Sequence, residues 1–314
     1  MIRPIKTSEL KVGMFIMLGN SAHLLPLFEE EFMISSEKQI ANIQDKGITL
    51  VDVDVDKSEA EVPAPDFDSM ETVAEGLREA IEDPNLAPKD KASAVYNHTL
   101  KMMENIIAQP TAENILSGKN MIHDVVELIL ADTETADFLT QITSHDYYTY
   151  THSVNVGMLG VLLSKAAFGG EHDHDLDELG SGFFLHDLGK CEVPSYLINK
   201  PGRLTDKEWE QMRMHPSYGE RILADAGELT HDIKVIVLQH HERWNGAGYP
   251  LGLEKSDIHI YARICSIADV YDALTATRAY KKKLSTFEAL SLMKEEMMEH
   301  FEQDLFARFV RLFN

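Results

Sequence analysis

The fold class follows from residues 153–168, which read SVNVGMLGVLLSKAAF. This run carries a single charge and predicts a strongly apolar α-helix. Helix after helix with short breaks is predicted from about residue 135 onward, and no strand pattern competes there. The other predicted helices of this region span residues 178–190, 207–227, 231–244, 260–280 and 286–301. The region is therefore predicted to be an all-α helical bundle.

The N-terminal segment shows a different pattern. Residues 11–18 (KVGMFIML) and 47–56 (GITLVDVDVD) alternate or run apolar as strands do. Between them, residues 35–47 predict a short helix with Ser35 or Ser36 as its N-cap. The chain is thus expected to be α+β overall, with a small N-terminal α+β module followed by the helical bundle.

Composition shifts divide the chain into four predicted segments. Residues 1–56 form the α+β module, and residues 57–68 form an acidic linker with two prolines. Residues 69–134 are a helical connecting region with apolar side chains at three- and four-residue spacings. Residues 135–314 are the domain in which we expect the chemistry.

Charge and cysteine content narrow the function classes. The net charge is −23, from 29 basic and 52 acidic residues, so the general surface repels nucleic acid polymers and anionic membranes. No apolar run reaches the length of about 18 residues that a membrane helix needs, and MIRPIKTSEL (1–10) lacks the apolar core of a signal peptide. Two cysteines suit a reducing compartment. We expect a cytoplasmic protein with neither nucleic acid nor membrane as a partner.

Histidine is abundant, with 14 residues, and recurs in short motifs of the second half. These motifs lie on or at the ends of predicted apolar helices, where each buried polar group needs a partner. Metal ions satisfy several such groups at once, and helical bundles build dinuclear sites from inward-facing side chains. The candidate ligands are His152, His186, Asp187, His215, His240, His241 and Asp269.

Each candidate alone has a plainer interpretation. A single buried histidine such as His152 is more often a core residue, and Asp269 alone would be a helix cap or a solvated residue. The tract EHDHD (171–175) is better explained as a solvated acidic loop. The candidates taken together, in this order, favour a metal site.

Four motifs resemble one known family. HDLGK (186–190) with Pro194 resembles the signature of HD phosphohydrolases, and HHERWNGAGYP (240–250) resembles the signature that gives the HD-GYP family its name. HPSYGERIL (215–223) and IADVYDALTATRAYKK (267–282) resemble the other two motifs of that family. The resemblance runs from about residue 138 to the end of the chain. Residues 3–56 resemble more weakly the small N-terminal domain that is often fused to HD-GYP proteins.

The resemblance implies hydrolysis of the bacterial second messenger cyclic di-GMP to linear pGpG, and it leaves open whether hydrolysis continues to GMP. It assigns all seven candidates above as metal ligands, with Asp187 bridging two ions. Lys190 would lie over a phosphate of the substrate, and Arg278 and Lys281 would contact its phosphates. Tyr249 and the rest of loop 246–250 would shape the site and present a surface for a protein partner, such as a diguanylate-cyclase domain.

Three departures from the family pattern bear on these expectations. Some members carry a glutamate one helical turn before the first ligand histidine and bind a third metal, but Tyr148 stands there in this chain. We therefore expect two divalent ions, Fe first and Mn second, because mixed imidazole and carboxylate ligation suits them. The loop reads Asn245-Gly246-Ala247 where Asp-Gly-Thr is commoner, and Ala279 stands where proline is usual.

Two other functions remain open at this stage. The site could act on another nucleotide, since pocket shape sets the substrate. The domain could also bind cyclic di-GMP, or a protein partner, without turning it over. The complete set of candidate ligands favours an enzyme, because a pure binding module has no need of a dinuclear site.

Overall fold

A computed structural model of the chain describes residues 2–18, 28–29, 31–46, 48, 50–63, 68–142, 149–169, 173–198, 200, 202–276 and 283–313. It divides into two compact units. One comprises Met1–Phe67 with Val193–Met212, and the other comprises Asp68–Glu192 with Arg213–Asn314.

The strands of the N-terminal unit are β1 (Ile2–Lys6), β2 (Phe15–Met17), β3 (Glu31–Met33) and β4 (Leu50–Asp54). They form a four-stranded antiparallel sheet of order β1-β4-β2-β3. Val51 and Val53 of β4 lie in the core, whereas Asp52 and Asp54 point to the other face, as the two-residue period of a strand requires. The first helix begins after its N-cap Ser36, and the side chain of Gln39 accepts hydrogen bonds from the backbone N–H groups of Ser35 and Ser36. The α-helices of this unit are α1 (Glu37–Asp45), α8 (Ser195–Ile198) and α9 (Asp206–Met212).

In the described part of the larger unit, the regular elements are helices. The predicted α+β class, with a small N-terminal module before a helical bundle, is therefore confirmed. Its α-helices are α2 (Met70–Glu82), α3 (Pro88–Ala108), α4 (Ala112–Ala131), α5 (Thr133–Gln141), α6 (Thr149–Phe168), α7 (Leu176–Leu185), α10 (His215–Asp225), α11 (His231–Gln239), α12 (Ile260–Thr275), α13 (Thr286–Glu296) and α14 (Gln303–Val310).

Helix α6 is buried on most of its surface and packs closely against α7. Two glycines of α6 permit this approach. A Cβ atom on Gly157 would lie 2.5 Å from the ring of Phe184, and one on Gly160 would lie 2.7 Å from the ring of Phe183. The close packing holds the N-terminal half of α6 beside the C-terminal end of α7, where the first histidines of the site lie.

The single helix predicted for residues 207–227 is wrong. The structure has two helices there, α9 ending at Met212 and α10 beginning at His215. Pro216 explains the break, because proline has no N–H to donate to the carbonyl group of Met212 and is favoured in a first helical turn. The break makes His215 the first residue of a new helix.

Several other predicted helices end earlier than expected. Helix α7 ends at Leu185, so that His186 and Asp187 occupy a turn before the 3-10 helix Leu188–Glu192. Gly189 lies in this segment, and a Cβ atom there would be 2.0 Å from the carbonyl oxygen of His215. Only glycine therefore allows this turn to approach α10. The helices predicted to reach residues 244, 280 and 301 end at Gln239, Thr275 and Glu296.

Candidate metal centre

The structure brings the seven candidate ligands together at helix ends and along two buried helices. His152 lies in α6 and Asp269 in α12, whereas His215 is the first residue of α10. The His186-Asp187 pair directly follows α7, and the His240-His241 pair directly follows α11. All are buried except His241, which is partly exposed.

Asp187 lies at the centre of the group and is 1% exposed. Its Oδ2 is 3.4 Å from Nε2 of His152 and 3.5 Å from Nε2 of His186. Its Oδ1 is 3.3 Å from Nε2 of His215 and 3.7 Å from Nε2 of His240. The two oxygens of one carboxylate thus face two separate sets of imidazoles.

These sets define two clusters whose ligand atoms lie within 4.8 Å of one another. We call His152, His186 and Asp187 the first cluster, and Asp187, His215, His240 and His241 the second cluster. Asp269 contacts both, with Oδ1 at 3.1 Å from Nε2 of His152 and Oδ2 at 3.4 Å from Nδ1 of His241.

Hydrogen bonds on the far side of three rings fix their orientation. Nδ1 of His186 lies 2.7 Å from the carbonyl oxygen of Phe183, and Nδ1 of His240 lies 2.9 Å from that of Val237. Carbonyl oxygens only accept, so Nδ1 donates and Nε2 keeps its lone pair. His152 follows the same logic through the carboxylate of Asp272, whose Oδ2 is 2.7 Å from Nδ1. All three Nε2 lone pairs therefore face the Asp187 carboxylate.

Imidazole lone pairs that face a carboxylate repel it unless a cation lies between them. Nε2 of His186 and Oδ1 of Asp187 are buried and make no hydrogen bond within the part of the chain that the structure describes. Buried polar atoms are normally satisfied, and metal ions satisfy imidazole nitrogen and carboxylate oxygen together. The residues present thus fit divalent metal ions.

The protonation states agree with metal binding. Burial tends to raise the pKa of Asp187, but the charge of Lys190 and the contact with His186 outweigh it and hold the pKa well below its usual range. Burial also tends to raise the pKa of Asp269, but the neighbouring imidazoles of His152 and His241 outweigh it and lower the pKa. Burial lowers the pKa of both His186 and His241. Ionised carboxylates and neutral imidazoles are the forms that bind metals.

Lys190 is positioned by the turn that follows Asp187. Its backbone N–H donates to the Asp187 carbonyl oxygen at 2.9 Å, and its Nζ lies 2.5 Å from Oδ2 of Asp187. The amine is therefore at the edge of the first cluster, within reach of an anion that binds there.

Tyr249 packs against the second cluster. Its ring stacks on His241 with a centroid distance of 4.7 Å, and the guanidinium of Arg213 lies 5.4 Å from its centroid. Burial raises the pKa of Tyr249, so the phenol stays neutral. A pocket beside it is lined by residues that include His240, His241, Asp269, Arg243 and His300.

Sequence reasoning missed two groups that support the centre. Asp272 holds His152, and buried Glu242 accepts hydrogen bonds from the backbone N–H groups of Leu251, Gly252 and Leu253 at 2.6–3.1 Å. Asp272 follows Asp269 by three residues, a spacing that places both on one face of a helix and could have indicated it. Glu242 directly follows the histidine pair, but nothing in the local pattern shows which N–H groups it binds.

Two predicted substrate contacts, Arg278 and Lys281, lie outside the described residues, as do Tyr148 and Ala279. Within the described residues, no helix has the length and apolar character to span a membrane.

A helical bundle that gathers an HD pair with further histidines and an aspartate defines an HD-domain phosphohydrolase. The HD-domain family profile matches residues 172–305, and that of a domain of unknown function, DUF3391, matches residues 2–119. The cyclic di-GMP phosphodiesterase PA4108 of Pseudomonas aeruginosa is 30% identical, over 99% of this chain and 76% of that protein.

Two further comparisons agree. The 3'3'-cGAMP-specific phosphodiesterase 2 of Vibrio cholerae is 38% identical over 42% of this chain and 26% of its own length. The solved structure of Bd1817, an HD-GYP protein of Bdellovibrio bacteriovorus, has the same fold, with a TM-score of 0.66 at 17% identity and 99% coverage of both chains. The chain belongs to the HD-GYP family of metal-dependent HD phosphodiesterases.

Proposed function

We propose that this chain hydrolyses cyclic di-GMP to linear pGpG at a dinuclear centre, with Fe as the preferred metal and Mn as the second choice. The observation that carries the proposal is the position of Asp187, whose two oxygens face two sets of imidazole Nε2 atoms at 3.3–3.7 Å. The proposed ligands are His152, His186, Asp187, His215, His240, His241 and Asp269.

Asp187 would be shared by the two ions, and Asp269 would add an oxygen to the first cluster beside His152. When bound, two ions of this kind lower the pKa of a water molecule and neutralise charge on a phosphoryl group. The buried carboxylates compensate part of the metal charge, and the orienting hydrogen bonds on Nδ1 keep the imidazoles ready to bind.

Lys190 would act on the substrate itself. Its amine lies at the edge of the first cluster, where it can donate to a phosphoryl oxygen as negative charge increases during attack. Tyr249 is stacked on His241 and lines a neighbouring pocket that also offers Arg243 and His300. Arg278 and Lys281 remain proposed phosphate contacts.

The choice of cyclic di-GMP rests on the family and on relatives. Relatives from several bacteria are named cyclic di-GMP phosphodiesterases, and one of them aligns with 99% of this chain. The second candidate is 3'3'-cGAMP, because three other relatives are named for that substrate. Both are cyclic dinucleotides with two phosphodiester groups, so the same centre could cleave either.

The loop after the histidine pair is also proposed as a contact surface for a protein partner containing a diguanylate-cyclase domain. Leu251, next to the GYP motif, is 61% exposed. An apolar side chain this exposed is available for a protein contact.

A turnover assay tests the proposal. The full chain, loaded anaerobically with Fe(II) or Mn(II), would be incubated separately with cyclic di-GMP and 3'3'-cGAMP, and the products separated by chromatography. We expect linear pGpG from cyclic di-GMP, with a higher kcat/KM than for 3'3'-cGAMP. A higher kcat/KM for 3'3'-cGAMP would make that nucleotide the preferred substrate instead. Bound metal without any product would indicate a non-catalytic binding role.

A further inference from the structure

A chain of hydrogen bonds runs from the first cluster to helix α3. His152 donates from Nδ1 to Oδ2 of Asp272 at 2.7 Å, and the amide of Asn155 donates to the other oxygen of Asp272 at 2.6 Å. The hydroxyl of Tyr96 donates to the amide oxygen of Asn155 at 2.8 Å. Four side chains from three helices, α3, α6 and α12, are thus joined end to end.

The direction of each hydrogen bond in the chain is fixed. A carboxylate only accepts, so both His152 and Asn155 must donate to Asp272. Asn155 therefore turns its amide oxygen the other way, where Tyr96 donates to it. His152, Asp272 and Tyr96 are all at most 5% exposed, whereas Asn155 between them is partly exposed.

His152 differs from two other histidines of the centre in its partner. Nδ1 of His186 and Nδ1 of His240 donate to backbone carbonyl oxygens, whereas Nδ1 of His152 donates to a carboxylate. A carboxylate partner raises the basicity of the ligating nitrogen more than a neutral carbonyl group does, and it fixes the tautomer. The first cluster is thus the one that this chain of hydrogen bonds supports.

Tyr96 lies outside the part of the chain recognised as an HD domain. The HD-domain profile begins at residue 172, whereas residues 2–119 match the domain of unknown function. Tyr96 is in α3, which packs against α6 within the same compact unit.

We propose that Tyr96, Asn155 and Asp272 are positioning residues for the metal of the first cluster, and that α3 thereby gives the region of unknown function a structural role in the metal centre. The proposal rests on the dinuclear function proposed above. None of the three residues contacts the metal or the substrate, and each acts through His152.

Asp272→Asn tests the hydrogen bond nearest the first cluster, between Asp272 and His152. The new amide has one oxygen and one NH2 group, but both His152 and Asn155 donate to this position. One of the two donors must then face the new NH2 group. If that donor is Nδ1 of His152, the ring proton moves to Nε2, and Nε2 loses the lone pair that would bind the metal. Loss of such a partner weakens metal binding by about 10–100-fold.

Tyr96→Phe tests the hydrogen bond farthest from the first cluster, between Tyr96 and Asn155. The substitution keeps the buried ring and removes only the hydroxyl, so the helix packing is retained. We expect the same metal to bind about three- to tenfold more weakly, as the loss of one partly buried hydrogen bond predicts. Tyr261→Phe is the matched control, because it too removes one tyrosine hydroxyl. The partner of that hydroxyl is His174, which is not one of the candidate ligands.

The measurement is a Mn(II) titration of the metal-free full chain, with free Mn(II) quantified by electron paramagnetic resonance. Wild type should bind two Mn(II). Asp272→Asn and Tyr96→Phe should each weaken one of the two and leave the other within about twofold, whereas Tyr261→Phe should match wild type.

Equal behaviour of Tyr96→Phe and Tyr261→Phe would overturn the role of α3. Equal weakening of both ions, or of neither, in Asp272→Asn would overturn the assignment to the first cluster. Binding of fewer than two Mn(II) by wild type would instead contradict the dinuclear centre itself. Because the readout is metal binding, failure of the substrate assignment leaves this test intact.

Discussion

Asp187 is the residue through which the two clusters meet, since each of its oxygens faces a different set of imidazoles. Asp187→Ala removes a ligand from both clusters and leaves neutral imidazoles around a cavity. We expect less than one metal per chain and no detectable turnover, measured by metal analysis and product chromatography on the same sample. Asp225→Ala, an exposed change on α10, is the control and should match wild type. Two metals and normal turnover in Asp187→Ala would refute the proposed ligand set.

A substitution of Lys190 tests transition-state stabilisation separately from metal binding. Its amine lies 2.5 Å from Oδ2 of Asp187 at the edge of the first cluster. Lys190→Met should keep two metals and lower kcat by about 10²–10³-fold, because one donor to the developing phosphoryl charge is lost. Lys234→Met is the control, since it breaks a surface ion pair with Glu220 that contributes little. A metal content that falls in parallel with kcat would assign Lys190 to the metal site instead.

The sequence was sufficient to nominate the candidate ligands but not the groups that orient them. His186, Asp187, His240 and His241 stand in contiguous motifs, and a motif can be read locally. Asp272 meets His152 across 120 residues, a pairing that no local pattern contains. Supporting residues of this kind become visible only when the helices are packed.

At the scale of elements, the loop that carries Tyr249 is held by one buried carboxylate. Glu242 is 2% exposed and accepts from three consecutive backbone N–H groups, Leu251 to Leu253. Gly248 allows the loop to fold back, because a Cβ atom there would lie 2.4 Å from the backbone of Arg243. The loop is thus held by contacts between its beginning, at Glu242 and Arg243, and its later residues.

Glu242→Ala should loosen this loop while the metals stay bound. The loss of hydrogen bonds to a charged acceptor predicts destabilisation of about 1–3 kcal/mol. Amide hydrogen exchange should accelerate at residues 249–253, and turnover should fall as Tyr249 leaves His241. Glu254→Ala changes an exposed glutamate of the same loop and should do neither. Unchanged exchange at residues 249–253 in Glu242→Ala would show that the carboxylate does not hold the loop.

The N-terminal sheet contains a carboxyl group that responds to pH. Burial raises the pKa of Asp52 from 3.8 to about 6, so the folded unit holds a proton there that the unfolded chain releases. Stability from this group is complete below about pH 4 and is lost as the pH rises through 6. Asp52→Asn should therefore stabilise the sheet by about 1–3 kcal/mol at pH 7.5 and by less at pH 5.

The readout is hydrogen exchange of amides in β2 and β4, corrected for intrinsic rates. Asp54→Asn is the control on the same face, because Asp54 accepts N–H groups of Asp56 and Lys57 that outweigh desolvation and lower its pKa. That change should give no stabilisation at pH 7.5. A gain in Asp52→Asn that is equal at both pH values would contradict the assignment.

Helix positions were more predictable than helix ends. The apolar run of α6 and the Ser36 cap of α1 are local features, and both elements form where the sequence indicates. The break between α9 and α10 was missed because the apolar pattern continues across it, although Pro216 marks it. Proline was the stronger signal there, since a missing donor interrupts a helix whatever the surrounding pattern.

At the scale of the whole molecule, segments distant in sequence are grouped by packing. Val193–Met212 belongs to the same compact unit as Met1–Phe67, a division that composition alone does not suggest. The division into segments 1–56, 57–68, 69–134 and 135–314 remains a prediction. The net charge of −23 means that positive charge for an anionic substrate must come from the centre itself.

A stepwise metal titration of turnover tests the dinuclear phosphodiesterase most directly. Metal-free full chain would receive Fe(II) anaerobically in fractions of one equivalent, and the rate of cyclic di-GMP hydrolysis would be measured after each addition. Because Asp187 and Asp269 join two clusters, we expect the rate to rise mainly with the second equivalent and to level off at two per chain. Full activity at one equivalent, or no linear product after two have bound, would contradict a dinuclear cyclic di-GMP phosphodiesterase.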